Sequence, residues 1–458
     1  MKLPKKVKAY MENNFTGVIH TTLNPMGPGA VRIHLIPPKI VDERPMPSVA
    51  IINGQDIIPV NFSWSILLAE FIKNVNEYDG RELSDKDINE IIKRTVKGVR
   101  EVFYLLPASA VKRDIDIIMN TFKQVAFGET VMEPIGYMTM GEYAPYMKAP
   151  HRMDLCVSAM VKEGNWNCNL KCIHCYAAGQ PLSEEEELST GEWKEIIDKL
   201  REASIPQITF TGGEPTKRKD LLELIEYSKW FVTRLNTNGI LLTKEFCESL
   251  YKASLDSIQI TFYSENPEIH NKLVGANQYE NTLKGIKNAL AAGLSVSINT
   301  PLCTLNKDYI KTLEFLKKQG VRYVTCSGLI TTGKGRTEES ERLWLKEKEL
   351  ARILKEAAEF SFSNDMEISF TSPGWLEDDF FMENNLNTPY CGACLSNMAV
   401  TPGGNVVPCQ SFLSSKPLGN MLRDDWESIW NSEECVKRRD YSSLMTGECP
   451  LRRKKDEK

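Results

Sequence analysis

The sequence predicts an α/β protein centred on a run of six parallel βα units, set between a small α+β module and a cysteine-bearing C-terminal region. Three observations carry this. Between residues 150 and 335, short apolar runs alternate with amphipathic stretches. Glycine and polar departures recur at the C-terminal ends of those runs, and after Gly335 the alternation stops and the cysteine spacing changes. Repeated βα units imply parallel strands joined by helices. Six of them fit either an open doubly wound sheet or an incomplete barrel on pattern alone.

Residues 1–130 read as β segments followed by helices. TGVIHTTL, AVRIHLI and SVAIINGQDIIPV are strand-like, the last with an Asn53-Gly54 pair that favours a tight hairpin. SILLAEFIKNVNEY, DINEIIKRTVKGVREVFYLL and IDIIMNTFKQVAF have helical periodicity, and Ser84 with Asp87 forms a capping box for the second. In the middle region the strands are DLCVSAMV, QITFTGG, FVTRLNTNG, SIQITFYS, LSVSINTPL and VRYVTCSGL. TGEWKEIIDKLREA, KDLLELIEYSKW, TKEFCESLYKA, YENTLKGIKNALAAG and DYIKTLEFLKKQG are the helices between them. From 336 to 458, a charged amphipathic helix leads to a hairpin pattern at MAVTPGGNVVPC and a short basic tail. The acid run Glu184–Glu187 reads as a solvated loop.

Composition bounds the function. At 458 residues the chain holds several domains, and a net charge of −5 supplies no basic field for nucleic acid. No apolar run of about 18 residues spans a membrane and no signal-peptide core follows the basic start, so a cytoplasmic protein is expected. In that compartment twelve cysteines point to metal or redox chemistry rather than disulfides.

In the middle region the three cysteines of NWNCNLKCIHCYAAG follow strand one, Gly212-Gly213-Glu214-Pro215 follows strand two, and Asn236-Thr237-Asn238-Gly239 follows strand three. Tyr263-Ser264-Glu265 follows strand four, and Asn299-Thr300 closes strand five. Parallel α/β sheets bind ligands at that edge. Three clustered thiols are one short of a closed zinc site, and an open coordination position marks catalytic use of a metal.

Cys168-x3-Cys172-x2-Cys175, with His174 before the last cysteine, resembles the signature of the radical S-adenosylmethionine (SAM) superfamily. The resemblance implies a partial (β/α)6 TIM-like barrel and a [4Fe–4S] cluster whose open iron chelates SAM and cleaves it to a 5′-deoxyadenosyl radical. Gly212-Gly213-Glu214-Pro215 is similar to the family's GGEP turn, where carbonyls and Glu214 accept from the SAM ammonium. Asn238, Thr261 and Asn299 fall where the family contacts the ribose and carboxylate of SAM.

The order cysteine pair, PGGNVVPC, LGN and IWNS in residues 336–458 resembles the SPASM and Twitch extensions, which hold auxiliary [4Fe–4S] clusters. A single auxiliary cluster is implied, with Cys391, Cys394, Cys409 and Cys449 as ligands and Cys435 as a packed helix cysteine. Cys303 and Cys326, at the ends of strands five and six, are read as buried cysteines, although in some family members a thiol there donates a hydrogen atom. His151, His174 and His270 are not read as bases.

The expected function is modification of a ribosomally made peptide by epimerisation, thioether formation or carbon–carbon crosslinking. The N-terminal module has the element order of the winged-helix RiPP recognition elements that capture leader peptides by adding a strand to a sheet edge. A flavodoxin- or ferredoxin-type reductant is the implied partner. Sulfatase maturation or tetrapyrrole tailoring is the alternative within the superfamily, and an electron-transfer or sensing protein the alternative outside it.

Overall fold

The computed structural model describes residues 4–23, 31–38, 40–41, 44–45, 48–52, 56–78, 83–126, 144–445 and 447–452. It divides into two compact units, Met1–Lys148 and Ala149–Lys458.

The first unit begins with a helix that periodicity did not announce, α1 (Lys5–Asn14). Its buried residues are Val7 and Met11, which share one face at i, i+4, so packing rather than propensity makes this helix. Strands β1 (Ile19–Leu23), β2 (Val31–Ile36), β3 (Ser48–Ile52) and β4 (Asp56–Val60) follow, in an antiparallel sheet of that spatial order. Ile33 stands opposite Ile52 and Leu35 opposite Ala50, which puts one apolar face under the helices. The Asn53-Gly54 turn lies outside the described residues.

Helices α2 (Phe62–Asn76), α3 (Asp85–Val102) and α4 (Ala108–Ala126) come next. Leu68, Ile72, Ile91, Val99, Ile118 and Phe122 meet the sheet residues in one core. Each such side chain contributes about 1.5–3 kcal/mol by leaving water. The Ser84–Asp87 capping box forms as the sequence predicts.

The second unit is built on strands β5 (Arg152–Ser158), β6 (Gln207–Gly212), β7 (Val232–Thr237), β8 (Ser257–Thr261), β9 (Ser295–Pro301), β10 (Tyr323–Ser327) and β11 (Glu367–Phe370), all parallel and adjacent in chain order. These form the partial barrel, with one strand more than the six the pattern showed. Four-residue EISF is too short to register as a βα unit. The connecting helices are α5 (Thr190–Glu202), α6 (Leu221–Tyr227), α7 (Lys244–Lys252), α8 (Pro267–Val274), α9 (Tyr279–Ala291), α10 (Tyr309–Lys318) and α11 (Glu347–Phe362). They bury Trp193, Ile196, Leu224, Leu250, Ile286 and Leu313 against the outer face of the strands.

Closure would leave β5 with an open edge. Strand β12 (Asn397–Val400) fills it, lying parallel to β5 with Asn397 opposite Arg152 and Val400 opposite Leu155. Strands β13 (Asn405–Val407) and β14 (Gly419–Asn420) extend the same sheet antiparallel, so the hairpin predicted at MAVTPGGNVVPC becomes a continuation of the barrel wall. A final helix, α12 (Glu433–Ser443), follows.

The acid run is a solvated loop at Glu184 and Glu186, which are exposed, but not at Glu185 and Glu187. Glu185 accepts from Thr401 Oγ1 at 2.5 Å and from Asn405 Nδ2 at 2.6 Å, anchoring the β12–β13 turn. Glu187 accepts from the Ala159 amide at 2.9 Å and from Asn167 Nδ2 at 3.0 Å, and pairs with Lys162 at 2.9 Å. Both carboxylates satisfy groups that the barrel mouth would otherwise leave unpaired. Among the described residues no helix is long and apolar enough to cross a membrane.

Candidate functional site

Residues 167–175 have no regular structure, so the three cysteines sit on a loop rather than on a helical stripe. The loop is fixed from several sides. Trp166 Nε1 donates to Leu170 O at 2.8 Å, the Lys171 and Ile173 amides donate to Val274 and Leu273 carbonyls, and the Lys334 amide donates to Cys175 O at 2.9 Å. Burial pushes the Cys168 thiol up to about 12 and raises those of Cys172 and Cys175.

Gly212 and Gly213 have a structural reason beside the expected one. Gly212 has φ +130°, a conformation that side chains avoid, and a Cβ there would lie 2.9 Å from Ser158 N and closer still to its carbonyl oxygen. A Cβ on Gly213 would lie 2.8 Å from Ala159 O. The Gly213 amide donates to Ser158 O at 2.7 Å, and Cys168 Sγ donates to Gly213 O at 3.3 Å. The turn thus clamps the end of β5 and touches the cysteine loop.

Glu214 is buried, and its oxygens are already engaged. Oε1 accepts from Thr216 Oγ1 and Thr237 Oγ1, both at 2.6 Å, and Oε2 from the Asn238 amide at 2.9 Å. Burial raises its carboxyl pKa against these bonds. It braces the turn after β7 from beneath the turn after β6. Asn238 Nδ2 donates to Asn169 Oδ1 at 2.6 Å, tying that turn to the cysteine loop. Thr261 and Asn299 are register partners on β8 and β9, and Asn299 Oδ1 accepts from Thr325 Oγ1 at 3.1 Å.

A cavity of about 480 Å³ joins these parts. Its lining includes Cys168, Cys172, Cys175, Gly212, Gly213, Glu214, Asn238, Thr261 and Asn299, and also Cys391, Cys409 and Cys449. The volume lies within the range that holds a drug-sized ligand. Two groups of three thiols line the cavity, the donor type that iron–sulfur clusters take, and the buried Asn236 Oδ1 in its wall has no hydrogen-bond partner. Pro215 opens a short turn beside Glu214 and is buried.

Cys394 departs from its expected place. It is fully buried, has φ +56°, is not among the lining residues, and its thiol pairs with Cys435 on α12. Arg439 Nη1 donates to Cys435 Sγ at 3.6 Å. Cys303 and Cys326 are fully buried and also absent from the lining. His174 and His270 are buried near Tyr263, and burial holds both near a pKa of about 4, as it does His151.

Among the cavity residues that sequence reasoning missed are Arg152, Asp154 and Arg234. The signal was a charge inside an otherwise apolar strand, in RMDLCVS and VTRLNT.

Residues 167–316 match the radical SAM superfamily, and residues 391–454 match the SPASM iron–sulfur cluster-binding domain. The chain carries both domains, the first over the cysteine loop and the strands that follow it, the second over the C-terminal cysteines. It is similar to the Fe-coproporphyrin III synthase of Methanosarcina barkeri, 32% identical over 41% of this chain and 48% of the relative, so the match spans about half of that protein. It is also similar to the PqqA peptide cyclase of Granulibacter bethesdensis, 29% identical over 63% of this chain and 78% of the relative. Streptococcus suis SuiB, solved bound to precursor peptide SuiA, shares the fold with TM-score 0.56 at 14% identity, covering 85% of this chain and 86% of that one.

Proposed function

We propose that this enzyme modifies a ribosomally made peptide by radical chemistry begun at the Cys168–Cys172–Cys175 loop. The observation that carries the reading is the single cavity onto which that loop, the Gly212–Glu214 turn and the C-terminal Cys391, Cys409 and Cys449 all open. Bound there, a reduced [4Fe–4S] cluster would supply the one electron that cleaves SAM to methionine and a hydrogen-abstracting 5′-deoxyadenosyl radical.

The chain's own residues do the rest. Cys168, Cys172 and Cys175 would hold the cluster by three thiolates, one fewer than its four irons. The Gly212–Gly213 backbone approaches closely because no Cβ intervenes, and Glu214 sets the turn that presents Asn238. Thr261 and Asn299 offer polar groups from the facing strands. Cys391, Cys409 and Cys449, which line the same cavity, would hold the auxiliary cluster. A flavodoxin- or ferredoxin-type protein supplies electrons.

Residues 1–130 serve as the leader-binding module. Strands followed by three helices support this, and β1 and β4 are edges of the four-stranded sheet among the described residues, each a place for an added strand. The peptide-cyclase relative supports the substrate class.

Co-expression with a short peptide encoded beside the enzyme tests the reading. A SAM- and Cys168-dependent mass change, or an unchanged mass with altered stereochemistry, supports it. An unmodified peptide together with decarboxylated coproporphyrin would instead favour the tetrapyrrole reading that the synthase relative suggests.

A further inference from the structure

Below the edge where the cysteines gather, the cavity continues down the barrel and meets charge. Thr209 of β6 stands in register between Asp154 of β5 and Arg234 of β7. Arg152 precedes Asp154 by two residues and so shares its face. All four line the cavity. With about 3.3 Å of rise per residue, Arg234 lies about 13 Å along β7 from the level of Asn238.

The charges do not balance. Arg152 Nε lies 3.0 Å from Asp154 Oδ1, and the charge of Asp154 also acts on Arg234. The only hydrogen bond of Arg234 among the described residues is a long one, from Nε to Ser257 Oγ at 3.4 Å. Burial, and then the like charge of Arg152, hold its pKa down to about 10. Thr209 Oγ1 is buried beside it and has no hydrogen-bond partner. Two guanidinium groups and one carboxylate leave a positive fork and a free hydroxyl lining the cavity. A planar guanidinium recognises a carboxylate by two parallel bonds.

Resting on the peptide reading above, we infer that Arg234 and Thr209 form a subsite for a carboxylate of the substrate, the side chain of an aspartate or glutamate in the peptide segment that enters the barrel. Asp154 holds Arg152 back from the same anion and sets how strongly the subsite binds.

The test uses the anaerobically reconstituted holoenzyme with SAM and two small probes, N-acetylglutamate N-methylamide and its glutamine counterpart, with binding followed by saturation-transfer NMR. The wild type should bind the glutamate probe about tenfold more tightly. Arg234→Gln should bring the two probes within about twofold, and Arg234→Lys should keep part of the preference. Asp154→Asn, by releasing Arg152, should strengthen glutamate binding by about threefold or more. Equal binding of both probes to the wild type, or a preference that survives Arg234→Gln, overturns the subsite. If Arg234→Gln fails to hold its clusters, Asp154→Asn decides, and weaker binding there overturns it. Probe binding does not depend on turnover. A charge preference without any peptide product retires the peptide reading alone, and a peptide product without the preference retires the subsite alone.

Discussion

Replacing Gly212 by alanine should damage the enzyme far more than an added methyl suggests. At φ +130° an alanine is strained by about 1–3 kcal/mol before any contact is counted. Its Cβ would also press on the Ser158 backbone, which is held in the β5–β6 ladder and cannot swing aside like a flexible side chain. Moving it loosens the bond from the Gly213 amide to Ser158 O, worth about 1 kcal/mol. A loss of about 3–5 kcal/mol follows.

Two other glycines calibrate that figure. Gly191 lies in the first turn of α5 with its nearest foreign atom, Ser189 Oγ, 4.0 Å from a built Cβ, so alanine there should be neutral or gain up to about 1 kcal/mol. Gly179 has φ +73° in open space and should cost about 1 kcal/mol. Urea unfolding followed by circular dichroism under anaerobic conditions measures all three, and 5′-deoxyadenosine yield shows whether the Cys168 loop moves with the turn. If Gly212→Ala falls within about 1 kcal/mol of Gly191→Ala, the backbone-clamp argument is wrong.

Two further outcomes follow from the same structure. Cys409→Ser should lose about four of about eight irons per chain, together with the matching electron paramagnetic resonance signal, whereas Cys394→Ser should keep them. Equal loss in both would return Cys394 to the ligand set. Burial depresses the pKa values of His151 and His270 from 6.5 to about 4, so each ring contributes stability above pH 6.5 that is lost as pH falls towards 4. At pH 5 the cost is about 2 kcal/mol per ring, and unfolding midpoints that stay level from pH 7 to pH 5 would contradict it.

The cysteine loop and the strand-end turns were legible because their chemistry and order are local. Each βα unit announces its own strand and helix, and the motif residues fall at the ends of those strands. What was not legible depends on partners far away in the chain. Glu185 reads as one charge in a run because Thr401 and Asn405 lie 216 and 220 residues on. Cys394 has ligand spacing, but a left-handed backbone turns it towards Cys435 instead of the cavity, and spacing carries no direction. α1 was missed because two buried residues make no period. Arg234 was visible as an odd charge in a strand, yet only register shows that it shares a row with Asp154.

The pairing of β5 with β12 also bears on how the protein is made. Arg152 meets Asn397, so the first barrel strand emerges from the ribosome about 245 residues ahead of its edge partner. At about 5–20 residues per second that is a wait of about 12–50 s. During it β5 presents unpaired amides and carbonyls, with the cysteine loop already synthesised beside them. A nascent chain in that state invites chaperones and mispairing, and cluster insertion before residues 397–400 arrive would proceed on an unfinished wall. Expression at lower temperature, with the iron–sulfur assembly machinery supplied early, should therefore favour intact protein over aggregate.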